Sequence, residues 1–382
     1  VGNPWKKGTV LHQYILIPKG KKGDETAEML MKGRNGSQDV AGASQAMAES
    51  HGAAGSRALA GSLGLTGPDG CRADIVRTPI CSSAVFTSPH CQLLYELGCQ
   101  NAIRGVCDSK YILIEDIQKK LGMPEVASSA SGSCKSSASS TSASLPIVDC
   151  GSGMQPDVEK IIALHPEALL ISPFENSGGY GRLDHIGIPI IECADYMEIS
   201  PLARAEWIKF YGMLFGAEQQ ADSIFNDVVT RYKALSDEAK AFDSHPKVMV
   251  DFPSGNTWYV PGGKSTIGRM IADAGGRYCF ADDDNGGSVA LALEKVVSQC
   301  DDADLWLFRY GGEEKSLNSI SNDYKVFSHI KAFSEGNVYG CSTERTTFYE
   351  STPFHPDRLL EDFIAMFHPQ TKRQPIYFKK VK

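Results

Sequence analysis

The chain has 382 residues and a formal net charge of −8, enough length for two domains of ordinary size, each with its own core. Apolar residues make up 42% and charged residues 22%, the balance of a globular protein. The acidic surplus excludes a nucleic-acid binder that works through a basic stripe. No apolar run approaches the roughly 18 residues of a membrane-spanning helix.

The chain opens Val1-Gly2-Asn3-Pro4-Trp5 without a charged and then apolar leader, which fits a cytoplasmic protein or one whose export signal has been removed. Strands are expected at 11–18 and 74–80, then a helix at 90–97. Helices at 157–164 and 180–185 alternate with strands at 168–172 and 188–192. Two stretches interrupt this order. Residues 33–70 are rich in Gly, Ala and Ser, and 127–144 are almost entirely Ser and Ala; neither carries enough apolar surface to order itself strongly, so both read as surface insertions.

Residues 202–215 carry a helical pattern that Gly216 breaks, and a second follows from 217 to 242. There Ala221, Phe225, Val228, Tyr232, Leu235 and Ala239 recur at spacings of four and three, one face of a single helix. About 25 residues reach roughly 37 Å, the width of a domain. Strands are expected again at 248–252, 305–308 and 337–340, with helices at 265–274 and 356–367. Strand-then-helix repetition means an α/β fold with largely parallel sheets. The expected organisation is an N-terminal α/β lobe at 1–200, a helical connection at 201–243 and a C-terminal α/β lobe at 244–382. A helix resists hinge motion, so such a protein should move little on binding.

Ligands of open parallel sheets bind beyond the carboxyl ends of the strands. The segments in that position are 82–88, 173–181, 254–265, 309–312 and 342–350, and they mix aromatic, Gly and hydroxyl residues. Aromatic walls suit a large, partly apolar ligand, while Gly and Ser let backbone groups approach it. Trp258 and Phe348 could equally cap a lobe core.

Enzyme signatures are weak. Gly262-Gly263-Lys264-Ser265 has the end of a phosphate-binding loop, but Trp258 stands where that motif requires Gly. No Gly-x-Ser-x-Gly elbow and no His-Glu-x-x-His occurs. The eleven cysteines include no Cys-x-x-Cys and read as small buried hydrophobes; their odd number leaves at least one outside any intramolecular disulfide.

Several of these pieces resemble the helical-backbone class of ABC-transporter substrate-binding proteins, the receptors for vitamin B12, ferric siderophores and haem. The most specific is Asp157-Val158-Glu159-Lys160-Ile161-Ile162-Ala163-Leu164-His165-Pro166-Glu167-Ala168-Leu169-Leu170, followed by Leu183 to Gly187-Ile188-Pro189. Arg77-Thr78-Pro79-Ile80, Leu97-Gly98 and the helix ending at Ala274-Gly275-Gly276 continue the likeness, whereas Ala292 and Ala303 replace the family's Ser and Pro. The resemblance implies two Rossmann-like lobes joined by one long backbone helix, with a ligand cleft between them and no catalysis. Carried over by position, Phe86, Tyr111, Gly151, Ser152, Phe174, Glu175 and Asn176 would contact the ligand from the first lobe. Trp258, Tyr259, Arg309, Phe348 and Tyr349 would do so from the second. Glu350 would be a surface carboxylate docking on the permease, and Glu175 could serve either purpose.

The resemblance further implies a monomer on the envelope side of the membrane, periplasmic or lipid-anchored. It would deliver its ligand to an inner-membrane ABC permease and hold no resident cofactor or metal. Few charges among the aromatics suit a corrinoid such as cobalamin. Arg309 with Lys110 would suit an iron siderophore complex, and Tyr111, Tyr259 and Tyr349 would suit haem. A metal-cluster enzyme on a related two-lobed fold would need cysteines such as Cys150 and Cys341 at the site.

Overall fold

The computed structural model describes residues 1–6, 8–27, 65–66, 72–123, 145–174 and 179–382. The expected insertions therefore lie outside the described residues, apart from Leu65–Thr66. Contacts divide the chain into two compact units, one of residues 1–194 with 210–221, the other of 195–209 with 222–382.

In the first unit, β1 (Gln13–Pro18) pairs in parallel with β3 (Arg72–Thr78), which β2 (Leu65–Thr66) joins in antiparallel. A second sheet follows: β4 (Ser83–Val85), α1 (Ser88–Glu96), β5 (Ile103–Val106), α2 (Glu115–Leu121) and β6 (Val148–Asp149). Then come the short β7 (Gly151–Ser152) and β8 (Gln155–Pro156), α3 (Val158–Leu164), β9 (Ala168–Ile171) and β10 (Ile190–Glu192). The sheet order is β10-β9-β4-β5-β6, all parallel. All four residues of β9 are buried, the continuous apolar pattern of a strand covered on both faces.

One expectation changes here. Residues 82–88 were expected to be a loop leaving the strand at 74–80, yet Ser83–Val85 is a central strand of a different sheet. Three residues are too few to show a period, and only their complete burial reveals them.

Two helices follow, α4 (Pro201–Phe215) and α5 (Glu218–Ala239). Gly216 between them adopts φ 69°, the left-handed conformation that ends a helix. Ala221, Val228, Tyr232, Leu235 and Ala239 are buried and Phe225 half-buried, so the expected stripe is the packed face. Residues 180–185, expected as an α-helix, contain instead the 3-10 turn Gly181–His185.

The second unit continues with β11 (Lys247–Val250), β12 (Pro253–Ser254), β13 (Thr257–Pro261), α6 (Thr266–Asp273) and β14 (Arg277–Tyr278). Next are β15 (Ser288–Ala292), α7 (Leu293–Gln299), β16 (Leu305–Tyr310), α8 (Leu317–Asp323) and α9 (Lys331–Ser334). The last elements are β17 (Val338–Ser342), α10 (Phe348–Ser351), α11 (Pro356–Phe367) and β18 (Lys379–Lys380). The main sheet runs β14-β11-β16-β17-β18, parallel except for β18 at its edge. A three-stranded antiparallel sheet, β12-β13-β15, stands beside it. Its strand β13 falls inside 254–265, which the sequence presents as a loop.

Candidate functional site

Each unit has its own strand-end face. On the first, the turns after β5 and β6 brace each other. Asp108, left-handed at φ 51°, donates its backbone N–H to the Gly151 carbonyl at 2.8 Å and accepts the Gly153 N–H on its carboxylate at 3.0 Å. The Ser109 hydroxyl donates to Asp149 at 2.6 Å, and the same carboxylate accepts the Gly151 N–H at 2.8 Å. Gly151 itself sits at φ 83°, a region that favours glycine. Asp157 caps α3 by accepting the Lys160 N–H at 3.1 Å, which fixes the start of the helix behind the face.

That frame exposes Tyr111, which is 59% accessible and whose ring centroid lies 4.6 Å from the Lys110 ammonium. Phe174, after β9, is 47% accessible. Gly151 and Ser152 are exposed in the β7–β8 hairpin. At its tip Met154 is 74% accessible; its only signal in the sequence is an apolar side chain between turn formers. Phe86, expected to touch ligand, instead packs in the core with Ala84, Cys107 and Ile171, because its N–H continues the ladder to the Leu170 carbonyl at 3.1 Å. Glu175 and Asn176 lie outside the described residues.

On the second unit, burial alternates along β13: Trp258 and Val260 are buried, Tyr259 exposed, the period-2 consequence of strand geometry. Trp258 was expected as a wall of the site. It is a core residue: its ring centroid stands 5.7 Å from those of both Trp306 and Phe327, and its indole N–H donates to the Val250 carbonyl at 3.1 Å. Phe348 is likewise buried. Tyr259 and Tyr349 keep about half their surface open, at 55% and 49%.

Arg309 closes this face. Its Nε and Nη2 donate to the two oxygens of Asp251 at 2.9 and 2.8 Å, and its guanidinium lies 5.8 Å from the Phe348 ring centroid. Burial by itself would weaken its charge, but Asp251 more than offsets this and holds the guanidinium protonated. Asp251 is itself left-handed at φ 63°, with its N–H on the Leu307 carbonyl and its own carbonyl accepting the Trp306 indole at 2.8 Å. Nothing local in the sequence marks it, since its partner is 58 residues away. A cavity of about 10 Å³ beneath the pair has room for no more than a water.

One expectation falls away. Glu350 is 2% accessible, so it presents no surface carboxylate for docking; the first turn of α10 tucks it inward. Gly262 and Gly263 serve packing rather than phosphate binding. A side chain at Gly263 would stand 2.5 Å from the Phe280 and Ala281 carbonyls, and one at Gly262 2.2 Å from that of Asn285. Ser265 caps α6 by accepting the Gly268 N–H at 3.2 Å.

The sequence profile of the periplasmic binding proteins matches residues 114–344, more than half of the chain. The chain belongs to that periplasmic binding protein family. Among curated relatives, an uncharacterized lipoprotein of Methanocaldococcus jannaschii is 25% identical over 228 residues, 59% of this chain and 53% of the relative. The chain thus spans about half the length of the curated relatives it matches first. A periplasmic haem-binding protein from Pseudomonas aeruginosa superposes with a TM-score of 0.57 at 14% identity, over 79% of this chain and 98% of that one. An Fe3+-hydroxamate transport protein from Saccharomonospora viridis gives 0.55 at 16%, over 76% and 94%. At such identities the likeness is one of fold. No helix among the described residues is long and apolar enough to cross a membrane.

Proposed function

We propose that this periplasmic binding protein captures a bulky, nearly neutral metal complex, a corrinoid or ferric siderophore, and delivers it to an ABC permease from the outer side of the membrane. Exposed aromatic rings at strand ends carry the reading: Tyr111 and Phe174 on one unit, Tyr259 and Tyr349 on the other. Such rings hold a large ligand by flat apolar contact, and the tyrosines add a hydroxyl to orient it. The Asp251–Arg309 pair supports low net ligand charge, because the Arg309 guanidinium already has its counter-ion. The second reading is haem, since Tyr111, Tyr259 and Tyr349 are open phenols able to ligate its iron.

Capture is favoured over cluster chemistry by the placement of the thiols. Cys150 packs in the core of the first unit with Ala84, Phe86 and Ile161, and Cys341 in the core of the second, and burial pushes their thiols up to about 12 and about 11. Cys81 is disulfide-bonded.

The test is titration of intrinsic fluorescence with cyanocobalamin, ferrioxamine and haemin. Saturable quenching by one of the three at sub-micromolar concentration is expected, and it would name the ligand class. Absence of a saturable response to all three would overturn the proposal.

A further inference from the structure

The chain carries a surplus of negative charge, yet one face of the second unit gathers lysines. A groove of about 830 Å³ runs along the edge of the main sheet, and Lys315, Lys372, Lys379, Lys380 and Lys382 line it. The volume falls in the usual range for small-molecule sites, roughly 300–1,000 Å³. All but Lys315 are exposed.

What separates this groove from an ordinary solvated patch is the lack of compensation. Arg373, also on its wall, is held by Glu238 at 2.7 and 2.9 Å and by Glu361 at 3.6 Å. Glu314 is the one acidic residue of the lining, and it lies 3.6 Å from Arg345. The five lysines form no ion pair among the described residues; Lys380 reaches only the Asn337 amide oxygen at 3.5 Å. The floor is rigid: Met366 and Phe378 are buried, and the buried Asp362 carboxylate accepts the N–H groups of Ile376 and Tyr377 at 2.6 and 2.7 Å, pinning the segment that leads into β18.

We propose that this groove is a second binding site, taking a ligand that bears several phosphates. The free cations are lysines, which bind phosphate as compact point charges, and clustered ammoniums favour a ligand of high charge density. The half-buried Tyr310 and Tyr339 on the wall give such a ligand an apolar contact beside the charges. None of the residues proposed for capture lines this groove, so the two sites are separable.

Phosphate can arrive on a soluble molecule or on a lipid headgroup, and two probes tell them apart. The first is calorimetric titration of the full chain with inorganic tripolyphosphate. Binding is expected, weakening about tenfold or more as salt rises from about 50 to 300 mM. The second is flotation with phosphatidylcholine vesicles, with and without phosphatidylglycerol. Flotation only with the anionic vesicles assigns the source to a headgroup, and tripolyphosphate binding alone assigns it to a soluble phosphate. The double substitution Lys379→Glu/Lys380→Glu, at exposed side chains of an edge strand, should weaken whichever probe binds at least tenfold, with an unchanged melting curve and unchanged quenching by metal complexes. Lys372→Glu provides an independent variant outside the strand. Failure of both probes, or binding that ignores both charge reversals, would overturn the proposal.

Discussion

The two strand-end faces are built from similar residues and arrive at different surfaces. On the first unit, short turns after β5 and β6 are locked by Asp108 and Asp149, and the side chains beyond them, Tyr111 and Met154, are exposed. On the second, the chain after β11 does not end in a turn. It folds back as β12-β13-β15 and draws Trp258 into the core. An aromatic residue after a strand is therefore a wall or a core residue according to whether the following segment pairs with another strand. Once it pairs, alternation separates neighbours, burying Trp258 and exposing Tyr259.

The sharpest way to break this comparison is Trp258→Ala. Removing a fully buried indole from the cluster with Trp306 and Phe327 should cost about 3–5 kcal/mol, read as a lowered midpoint in chemical denaturation. A fully stable variant would return Trp258 to the candidate site. Next is Asp251→Asn, which removes the counter-ion of Arg309 and should destabilise by about 2 kcal/mol. It should also shift ligand preference toward anionic chelates, measured by competition between neutral and anionic ferric complexes; unchanged preference would separate the pair from the site.

Smaller effects test the exposed rings. Tyr259→Ala and Tyr111→Ala should each weaken capture by about tenfold, or ~1.4 kcal/mol, with unchanged melting curves. Loss from only one of the two would confine capture to one unit's face. Smallest is Lys110→Ala, where the cation over Tyr111 contributes about 0.5 kcal/mol at an exposed site; a larger loss of affinity would mean that Lys110 meets the ligand directly.

Much of the fold was legible because its signals are local. The 356–367 pattern is the helix Pro356–Phe367, and continuous apolar runs mark β9, β11 and β16. Elements with weak local signals were not. Ser83–Val85 is too short for a period, and β13 with β15 depends on pairing between residues 27 to 35 positions apart, Thr257 with Ala292 through Pro261 with Ser288. The site divides in the same way. Tyr111, Phe174, Tyr259 and Tyr349 were readable as aromatics near strand ends, whereas Asp251 became visible only beside Arg309, and Glu350 was misjudged because its four-residue helix turns it inward.

The sequence by itself determined the α/β class, the alternation of strands and helices, the helix stop at Gly216 and the aromatic and lysine content available to any site. Tertiary structure alone decided which rings reach solvent, which charges are already paired and where unpaired lysines collect. The reason is physical. Periodicity and capping act over a few residues, while burial and ion pairing are set by groups that meet only after distant segments have packed.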